Sequence, residues 1–172
     1  MRTNKPSKII THHSASPNTF TVEDVDNWHK ERWPGFTSNV FTNKRGELYH
    51  VGYHFVCEAD GTITQTRSIS EEGAHTIGQN TSSIGFCFMG NFDTQHPTKE
   101  QIKAWKAWYK QWGKGMQVYP HRMYANKSCH GSLLADNYWM LWVKQEQLVA
   151  TIERLRMLIS QLQTLITKRR MK

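Results

Sequence analysis

Histidine and cysteine side chains that follow short apolar segments are the residues of this sequence best placed to bind a catalytic metal ion. His12 and His13 end the first such segment, His121 follows the last one, and Cys129 lies eight residues further on. A catalytic zinc ion takes three protein ligands and keeps a fourth position for a water molecule, which it activates as a nucleophile. Considered alone, each histidine is better explained as a hydrogen-bonded side chain than as a metal ligand, and Cys129 as an inert thiol. Their spacing forms no local metal-binding motif, so the fold must bring the ligands together.

The segments that would position these residues follow one another in the order of an α/β domain. Apolar runs and alternation predict strands, whereas Thr21 and a capping box of Thr98 and Gln101 predict the starts of two helices. In chain order we predict a strand at 8–11, a helix at about 21–32, a hairpin of 50–57 and 62–67, a strand at 83–89, a helix after 98 and a strand at 117–119. The predicted fold class is α/β, with a mixed central β-sheet flanked by helices and a long C-terminal amphipathic helix.

Strand geometry limits which histidine of the first segment can face a metal ion. Adjacent strand residues point to opposite faces, so His12 and His13 cannot both reach the same ion if the strand extends this far. The three cysteines are odd in number and far apart, which argues against a disulfide framework. Because Cys57 and Cys87 fall in predicted strands, we expect them to be core thiols.

The C-terminal segment has a different pattern, since its apolar residues recur every three or four positions over about three heptads. We predict one long amphipathic helix within residues 141–172, after a domain of residues 1–140. Isoleucine at the a positions and leucine at the d positions favour a two-stranded parallel coiled coil, although Leu158 and Leu165 widen the apolar stripe. Packing on the domain and contact with a membrane remain alternatives. The predicted homo-oligomer contacts are Leu148, Ile152, Leu155, Ile159, Leu162 and Ile166.

The net charge limits the class of partner. Lysine and arginine number 22 against 14 acidic residues, a formal net charge of +8. This charge favours polyanions but does not separate nucleic acid from an anionic cell envelope. A zinc-stabilised nucleic-acid binder is one hypothesis, yet the sequence lacks a recognised base-reading or stacking motif. Neither a secretory signal nor a run of about 18 apolar residues occurs, so we expect synthesis in the cytoplasm without a signal peptide.

Several segments, taken together and in order, resemble the zinc-dependent type 2 N-acetylmuramoyl-L-alanine amidases, and the short phage lysozymes that are amidases look closest. The resemblance covers about residues 8–130 and does not reach the C-terminal helix. The order of the segments makes it more specific than any single one. The segments are 9–16, 51–55, 73–80, 83–85, 90–92 and 121–129.

This resemblance implies a metal site and two assisting residues. The residues that match the family's zinc ligands are His12, His121 and Cys129, and those that match its assisting residues are Tyr53 and Lys127. The implied function is a peptidoglycan hydrolase, similar to an endolysin, in which zinc-activated water cleaves the amide bond between N-acetylmuramic acid and L-alanine. Tyr53 and Lys127 would donate to the oxyanion of the tetrahedral intermediate. Lys127 would also favour the thiolate of Cys129.

The roles of two further histidines, His75 and His130, remain open at this point. His75 lies in a loop that the family places beside the substrate groove, so it is either a substrate-binding residue or an ordinary exposed loop histidine. His130 follows Cys129 where these enzymes usually have proline, which makes it a rival metal ligand.

The resemblance is compatible with two functions, hydrolysis of peptidoglycan and binding of peptidoglycan without hydrolysis. Non-catalytic peptidoglycan-binding modules share the fold, but they usually lose the cysteine ligand that this chain keeps as Cys129. The implied partners are peptidoglycan, through its muramyl peptide stem, and an anionic envelope surface, with no specific nucleic acid. We expect the protein to act on the cell wall, as a phage-type enzyme that reaches it from the host cytoplasm.

Overall fold

Five strands and three α-helices lie within residues 3–170, the part of the chain that this computed structural model describes. The strands are β1 (Lys8–His13), β2 (Phe55–Cys57), β3 (Ile63–Gln65), β4 (Ser83–Phe88) and β5 (Gln117–Pro120). The α-helices are α1 (Val22–Arg32), α2 (Lys99–Trp108) and α3 (Tyr138–Arg170). A π-helical turn, Tyr109–Gly113, extends α2, and a 3-10 turn, His121–Met123, follows β5. This order agrees with the order predicted from the sequence.

The sheet is mixed, with the strand order β3-β2-β4-β1-β5. β1 runs parallel to both of its neighbours, β4 and β5, and β2 runs parallel to β4. β3 is antiparallel to β2 and forms the predicted hairpin with it. The predicted α/β class is therefore confirmed. Because the parallel strands end at one edge of the sheet, this edge is where an open α/β sheet binds its ligands.

The two faces of the sheet bury different side chains because strand residues alternate. On β4, Ile84, Phe86 and Phe88 belong to the larger core cluster, whereas Cys87 belongs to the smaller one, with Met89 just after the strand. The larger cluster also contains Trp105, Trp108 and Trp139, and the smaller one contains Val22, Val25, Val51 and Val56. Trp105 and Trp108 thus make one side of α2 a core face, and Cys57 and Cys87 are buried thiols, as predicted.

The strand boundaries next to the groove differ from the sequence prediction. β1 continues to His13 because it pairs with β4 as far as Phe88. Residues 50–54, predicted as strand, are irregular. The Gly52 backbone N–H donates to Nδ1 of His29 at 2.9 Å instead of to a neighbouring strand. A Cβ atom at Gly52 would lie 2.5 Å from the Ala74 carbonyl oxygen, so glycine permits the close approach of the loop that carries His75.

α3 begins on the domain and then leaves it. The Trp139 ring stacks on Phe88 with ring centroids 3.7 Å apart, and its carbonyl accepts a hydrogen bond from the Trp105 indole. Val143 is the last buried residue of this helix within the described part of the chain, and every side chain from Lys144 to Arg169 is exposed. None of the helices within residues 3–170 is long and apolar enough to cross a membrane.

The buried side chain of His54 should make the free energy of unfolding depend on pH. Its Nδ1 accepts the Gly85 backbone N–H at 3.0 Å, and its Nε2 lies 2.9 Å from the Glu71 carbonyl oxygen. Burial lowers the pKa of His54 to about 4. Since the unfolded chain keeps a histidine pKa of about 6.5, it binds more protons than the folded protein between these values. We expect the contribution of His54 to be complete above pH 6.5 and on the order of 3 kcal/mol to be lost as the pH falls through 4.

Denaturant titration of chelator-treated protein at several pH values measures this loss. His54→Gln should weaken the pH dependence of the free energy of unfolding, whereas His96→Gln, at an exposed position, should leave it unchanged. An equally steep pH dependence in His54→Gln and in the unchanged protein would contradict this explanation.

Candidate metal centre and substrate groove

The carboxyl edge of the sheet opens into a groove with a volume of about 920 Å³. Its walls are formed by the end of α1, by residues 74–80 and by the loop from 121 to 129. All six site residues predicted from the sequence line this groove, namely His12, Tyr53, His75, His121, Lys127 and Cys129. The fold therefore collects in one place residues that are up to 117 positions apart.

The pairing of β1 with β5 brings the first two candidate ligands together. His12 lies near the end of β1, and β5 pairs with β1 up to Pro120, the residue before His121. The centroids of the two imidazole rings are 4.5 Å apart. Cys129 returns to the same place through the following loop, with its Sγ atom 3.6 Å from Nδ1 of His12. The metal-binding atoms of the three side chains lie within 4.8 Å of one another.

These distances suit a tetrahedral zinc ion. A Zn–S distance of about 2.3 Å and a Zn–N distance of about 2.0–2.1 Å place the two ligand atoms about 3.5 Å apart at a tetrahedral angle. The 3.6 Å between Sγ of Cys129 and Nδ1 of His12 agrees with this value. Two imidazoles and a thiolate are also a donor set that zinc accepts, and three protein ligands leave one coordination position for water. The three residues therefore fit a catalytic zinc ion.

The loop that carries Cys129 is held from two sides. The Asp93 carboxylate accepts hydrogen bonds from the Ser128 hydroxyl at 2.8 Å and from the Ser132 backbone N–H at 2.6 Å. The Arg122 backbone N–H donates to the Cys129 carbonyl at 2.6 Å, and the Arg122 guanidinium donates to two carbonyls further along the loop. These contacts hold the Cys129 thiol beside His12, although Cys129 lies in a loop and not in a helix or strand.

The protonation of the three candidate ligands follows from their burial. Burial is the main cause that lowers the pKa of His12 well below its usual value and the pKa of His121 to about 4, so both rings are neutral at pH 7. Burial also raises the pKa of the Cys129 thiol to about 12, while the nearby Lys127 acts in the opposite direction. Lys127 thus acts to lower the pKa of the thiol, but burial has the larger effect. A metal ion that binds here must displace the thiol proton.

His75 packs behind His12 and is only 9% exposed, so the alternative of an exposed loop histidine is wrong. Its Nδ1 atom lies 3.1 Å from Nε2 of His12 and 3.0 Å from Oγ1 of Thr76. A metal-bound histidine usually donates its second ring N–H to a fixed acceptor. Nδ1 of His75 is in the place of that acceptor if His12 binds a metal through Nδ1. His75 therefore supports His12 as well as lining the groove.

Tyr53 faces the same cluster from the irregular segment before β2. The centroid of its ring is 4.9 Å from that of His12. Burial raises the pKa of Tyr53 well above its usual value, and the neighbouring thiols of Cys87 and Cys129 add to this effect. The hydroxyl therefore keeps its proton at neutral pH and can donate a hydrogen bond.

The two neighbouring histidines that compete as metal ligands make other contacts. His13 is in register with Phe88, and its Nδ1 accepts the Phe92 backbone N–H at 2.9 Å. His130 is fully buried, with Nδ1 2.6 Å from Oγ1 of Thr11 and Nε2 3.3 Å from a backbone carbonyl oxygen. Neither residue belongs to the cluster with metal-binding spacing, which contains His12 instead.

α1 contributes groove residues that the sequence does not single out. His29, Arg32 and Trp33 come from the last turn of this helix and from its C-terminal flank, and they line the groove. The Arg32 guanidinium lies over the Trp33 ring, 4.8 Å from the ring centroid. The spacing of His29 and Arg32 places them on one helix face, and this spacing is the one sequence feature that could have identified them as a pair.

Comparison with known proteins identifies the family. The model of the N-acetylmuramoyl-L-alanine amidase family, Amidase_2, matches residues 2–132. The chain belongs to this family. Similar amidase-family proteins include peptidoglycan-recognition protein 2 of Holotrichia diomphalia, 34% identical over 103 residues, and an endolysin of Klebsiella phage KP32, 34% identical over 91 residues. These alignments cover 59% and 52% of this chain and 52% and 51% of the relatives, so the chain spans about half the length of the curated relatives it matches.

The amidase fold is also found among solved structures. N-acetylmuramoyl-L-alanine amidase LysC from Clostridium intestinale URNW superimposes with a TM-score of 0.62 at 23% identity, over 84% of this chain and 86% of that one. The resemblance inferred from the sequence is therefore confirmed. As the names of the two curated relatives indicate, the Amidase_2 family contains peptidoglycan hydrolases and proteins that recognise peptidoglycan. The matched residues include all six site residues and stop before α3.

Metal analysis of the purified protein tests the proposed ligand set. We expect one zinc ion per chain after dialysis against zinc and removal of the excess, because three neutral or ionisable donors converge with tetrahedral spacing. His121→Ala and Cys129→Ser should each lose the bound zinc, whereas His96→Ala, at an exposed position, should keep it. Full zinc content in both ligand variants would show that the metal binds elsewhere.

Proposed function

We propose that this amidase-family chain is a zinc-dependent peptidoglycan hydrolase, similar to an endolysin, that cleaves the amide bond between N-acetylmuramic acid and L-alanine. The observation that supports this proposal is the convergence of His12, His121 and Cys129 with Tyr53 and Lys127 in one groove. His12, His121 and Cys129 are the proposed zinc ligands. Tyr53 and Lys127 are the proposed catalytic residues, and His75 is a proposed substrate contact.

A bound zinc ion supplies a water molecule of lowered pKa as the nucleophile for the amide carbonyl. His12 and His121 would hold it as neutral rings, a state that their lowered pKa values already maintain at pH 7. Cys129 would hold it as a thiolate after loss of its proton, and Lys127 would favour that loss. His75 fixes the ring of His12 by accepting its second N–H.

Tyr53 and Lys127 stabilise the charge that develops during the reaction. When water attacks, the carbonyl oxygen gains negative charge and needs donors that are already oriented. The Tyr53 hydroxyl is such a donor, since its raised pKa keeps it protonated. The exposed Lys127 ammonium lines the same groove and adds positive charge there. Cleavage then leaves a carboxylate on the lactyl group of N-acetylmuramic acid and a free amino group on L-alanine.

The proposed substrate and place of action follow from this reaction. The groove takes the muramyl peptide stem of peptidoglycan, and the protein acts on the bacterial cell wall, reached from the cytoplasm in the way of a phage lysozyme. The net charge of +8 draws the chain to an anionic envelope surface. In this proposal residues 1–140 carry the catalytic activity, and residues 141–172 are an added element.

A peptidoglycan-binding protein without activity is the second candidate, because one of the relatives is a peptidoglycan-recognition protein. The retained Cys129 supports hydrolysis, since binding modules of this fold usually lack that ligand. The two candidates differ in the products that they leave, so one assay separates them.

Purified peptidoglycan incubated with the protein should release free amino termini of L-alanine without new reducing sugar ends. A chelator should stop the release and added zinc should restore it. Tyr53→Phe removes the proposed donor but keeps the ring, and Lys127→Ala removes the charge. We expect each to lower kcat about 10²–10³-fold, the usual loss for one oxyanion donor.

Lys99→Ala is the matched control for Lys127→Ala, because Lys99 is exposed and lies outside the groove lining. It should keep full activity. New reducing ends without new amino termini would contradict the amidase proposal. Binding to peptidoglycan with no release of amino termini, in protein that holds zinc, would support the binding module instead.

A further inference from the structure

The outer part of α3 carries a long apolar stripe that no other part of residues 3–170 covers. From Lys144 to Arg169 every side chain is exposed, which at 1.5 Å per residue is about 40 Å of helix. Exposed fractions of the stripe range from 39% for Ile152 to 62% for Leu165. Soluble proteins rarely expose an apolar surface this large unless it contacts a partner. In proteins most of the stability of a helix comes from packing of its apolar face, which this part of α3 lacks within the described residues.

The stripe has the seven-residue repeat of a coiled coil. Ile152, Ile159 and Ile166 occupy three successive a positions. The d positions hold leucine in three successive heptads, at 148, 155 and 162. A sustained seven-residue repeat keeps a seam in contact only when two helices supercoil around each other. Isoleucine at a with leucine at d is the combination that favours two parallel strands.

The charges of α3 distinguish between a protein partner and a membrane. A helix that lies on a membrane has lysine and arginine along its polar face. Between residues 144 and 167, α3 has three cations, Lys144, Arg154 and Arg156, against the two acidic residues Glu146 and Glu153. The rest of its polar face is glutamine, serine and threonine. This composition suits a solvated coiled-coil exterior, with the concentrated positive charge confined to the residues after 167.

The residues beside the seam are compatible with a second copy of the same helix. In a parallel pair each g residue faces the e residue of the next heptad on the partner helix. These pairs are 144 with 149, 151 with 156, 158 with 163, and 165 with 170. None of them places two like charges opposite each other, and Leu158 and Leu165 add apolar contact at the seam. A copy of this chain is therefore an occupant that the sequence of α3 accepts.

We propose that residues 144–167 of α3 pair with the same residues of a second copy of this chain, forming a parallel two-stranded coiled coil. Both domains then lie at the same end of the coil, since each is joined to the N-terminal end of α3. Peptidoglycan is a polymer that offers the same bond many times. Two linked grooves bind such a polymer with a higher effective concentration than two separate ones. Retention on the wall by this dimer rests on the proposed function, whereas the pairing of the helices is independent of the chemistry in each groove.

Sedimentation equilibrium at micromolar concentration tests the pairing. The full chain should have twice the mass of a monomer, and Ile159→Glu, which places a charge in the seam, should have the mass of one chain. Met157→Glu is the matched control because Met157 is exposed on the opposite side of the helix, at position f, and it should remain a dimer. Ending the chain after Val143 should also give a monomer that keeps activity on soluble muropeptides while losing retention on whole walls.

Oxidative cross-linking tests the parallel arrangement. Leu162→Cys places equivalent d residues side by side in a parallel pair and far apart in an antiparallel one, so it should form a cross-linked dimer, whereas Met157→Cys should not. A monomeric full chain, a trimer or tetramer, or the absence of the Leu162→Cys cross-link would each overturn the proposal. Monomers that bind vesicles of anionic phospholipid through α3 would show that a membrane is the partner. The mass and cross-linking results do not depend on amidase activity, which the assay of amino termini measures separately.

Discussion

The in-register parallel pairing of β1 with β4 and β5 is the constraint on which the site depends. It places His12 beside Cys87 on the face of α1, and it ends β5 at the residue before His121. A shift of β1 by one residue would turn His12 toward the core of α2 and α3 and put His13 in its place on the face of α1. The register is fixed by the side chains on both faces, because Ile9 packs in the larger core cluster while Val56 and Cys87 fill the smaller one.

Several uncharged histidine and cysteine side chains lie close together at the same edge of the sheet. His12, His75 and His121 are neutral through burial, and Cys129 is a protonated thiol for the same reason. Nε2 of His75 is buried without a hydrogen-bond partner among the described residues. Burying so many polar groups costs stability unless something binds them. In the proposed site, a divalent metal ion with a thiolate ligand would offset that cost.

The sequence predicts the parts of this structure that depend on local patterns. The capping box of Thr98 and Gln101, the apolar run of β4 and the heptads of α3 each appear where the residues indicate them. Features set by distant contacts are not predictable in this way. Residues 50–54 lose their strand because α1 side chains bind their backbone N–H groups. The burial of His75 depends on Gly85, whose missing Cβ makes room for the imidazole ring. The choice of His12 over His13 follows from strand alternation together with the family resemblance.

X-ray absorption at the zinc edge is the most direct test of the metal centre on which the proposed amidase chemistry rests. For the zinc-loaded protein, the ligand set of His12, His121 and Cys129 predicts one sulfur at about 2.3 Å and two imidazole nitrogens at about 2.0–2.1 Å, with one further light atom. Because Cys129→Ser should lose the bound zinc, it should show neither the sulfur shell nor the nitrogen shell. A spectrum of the unchanged protein with no sulfur ligand, or with more than one, would contradict this account of the site.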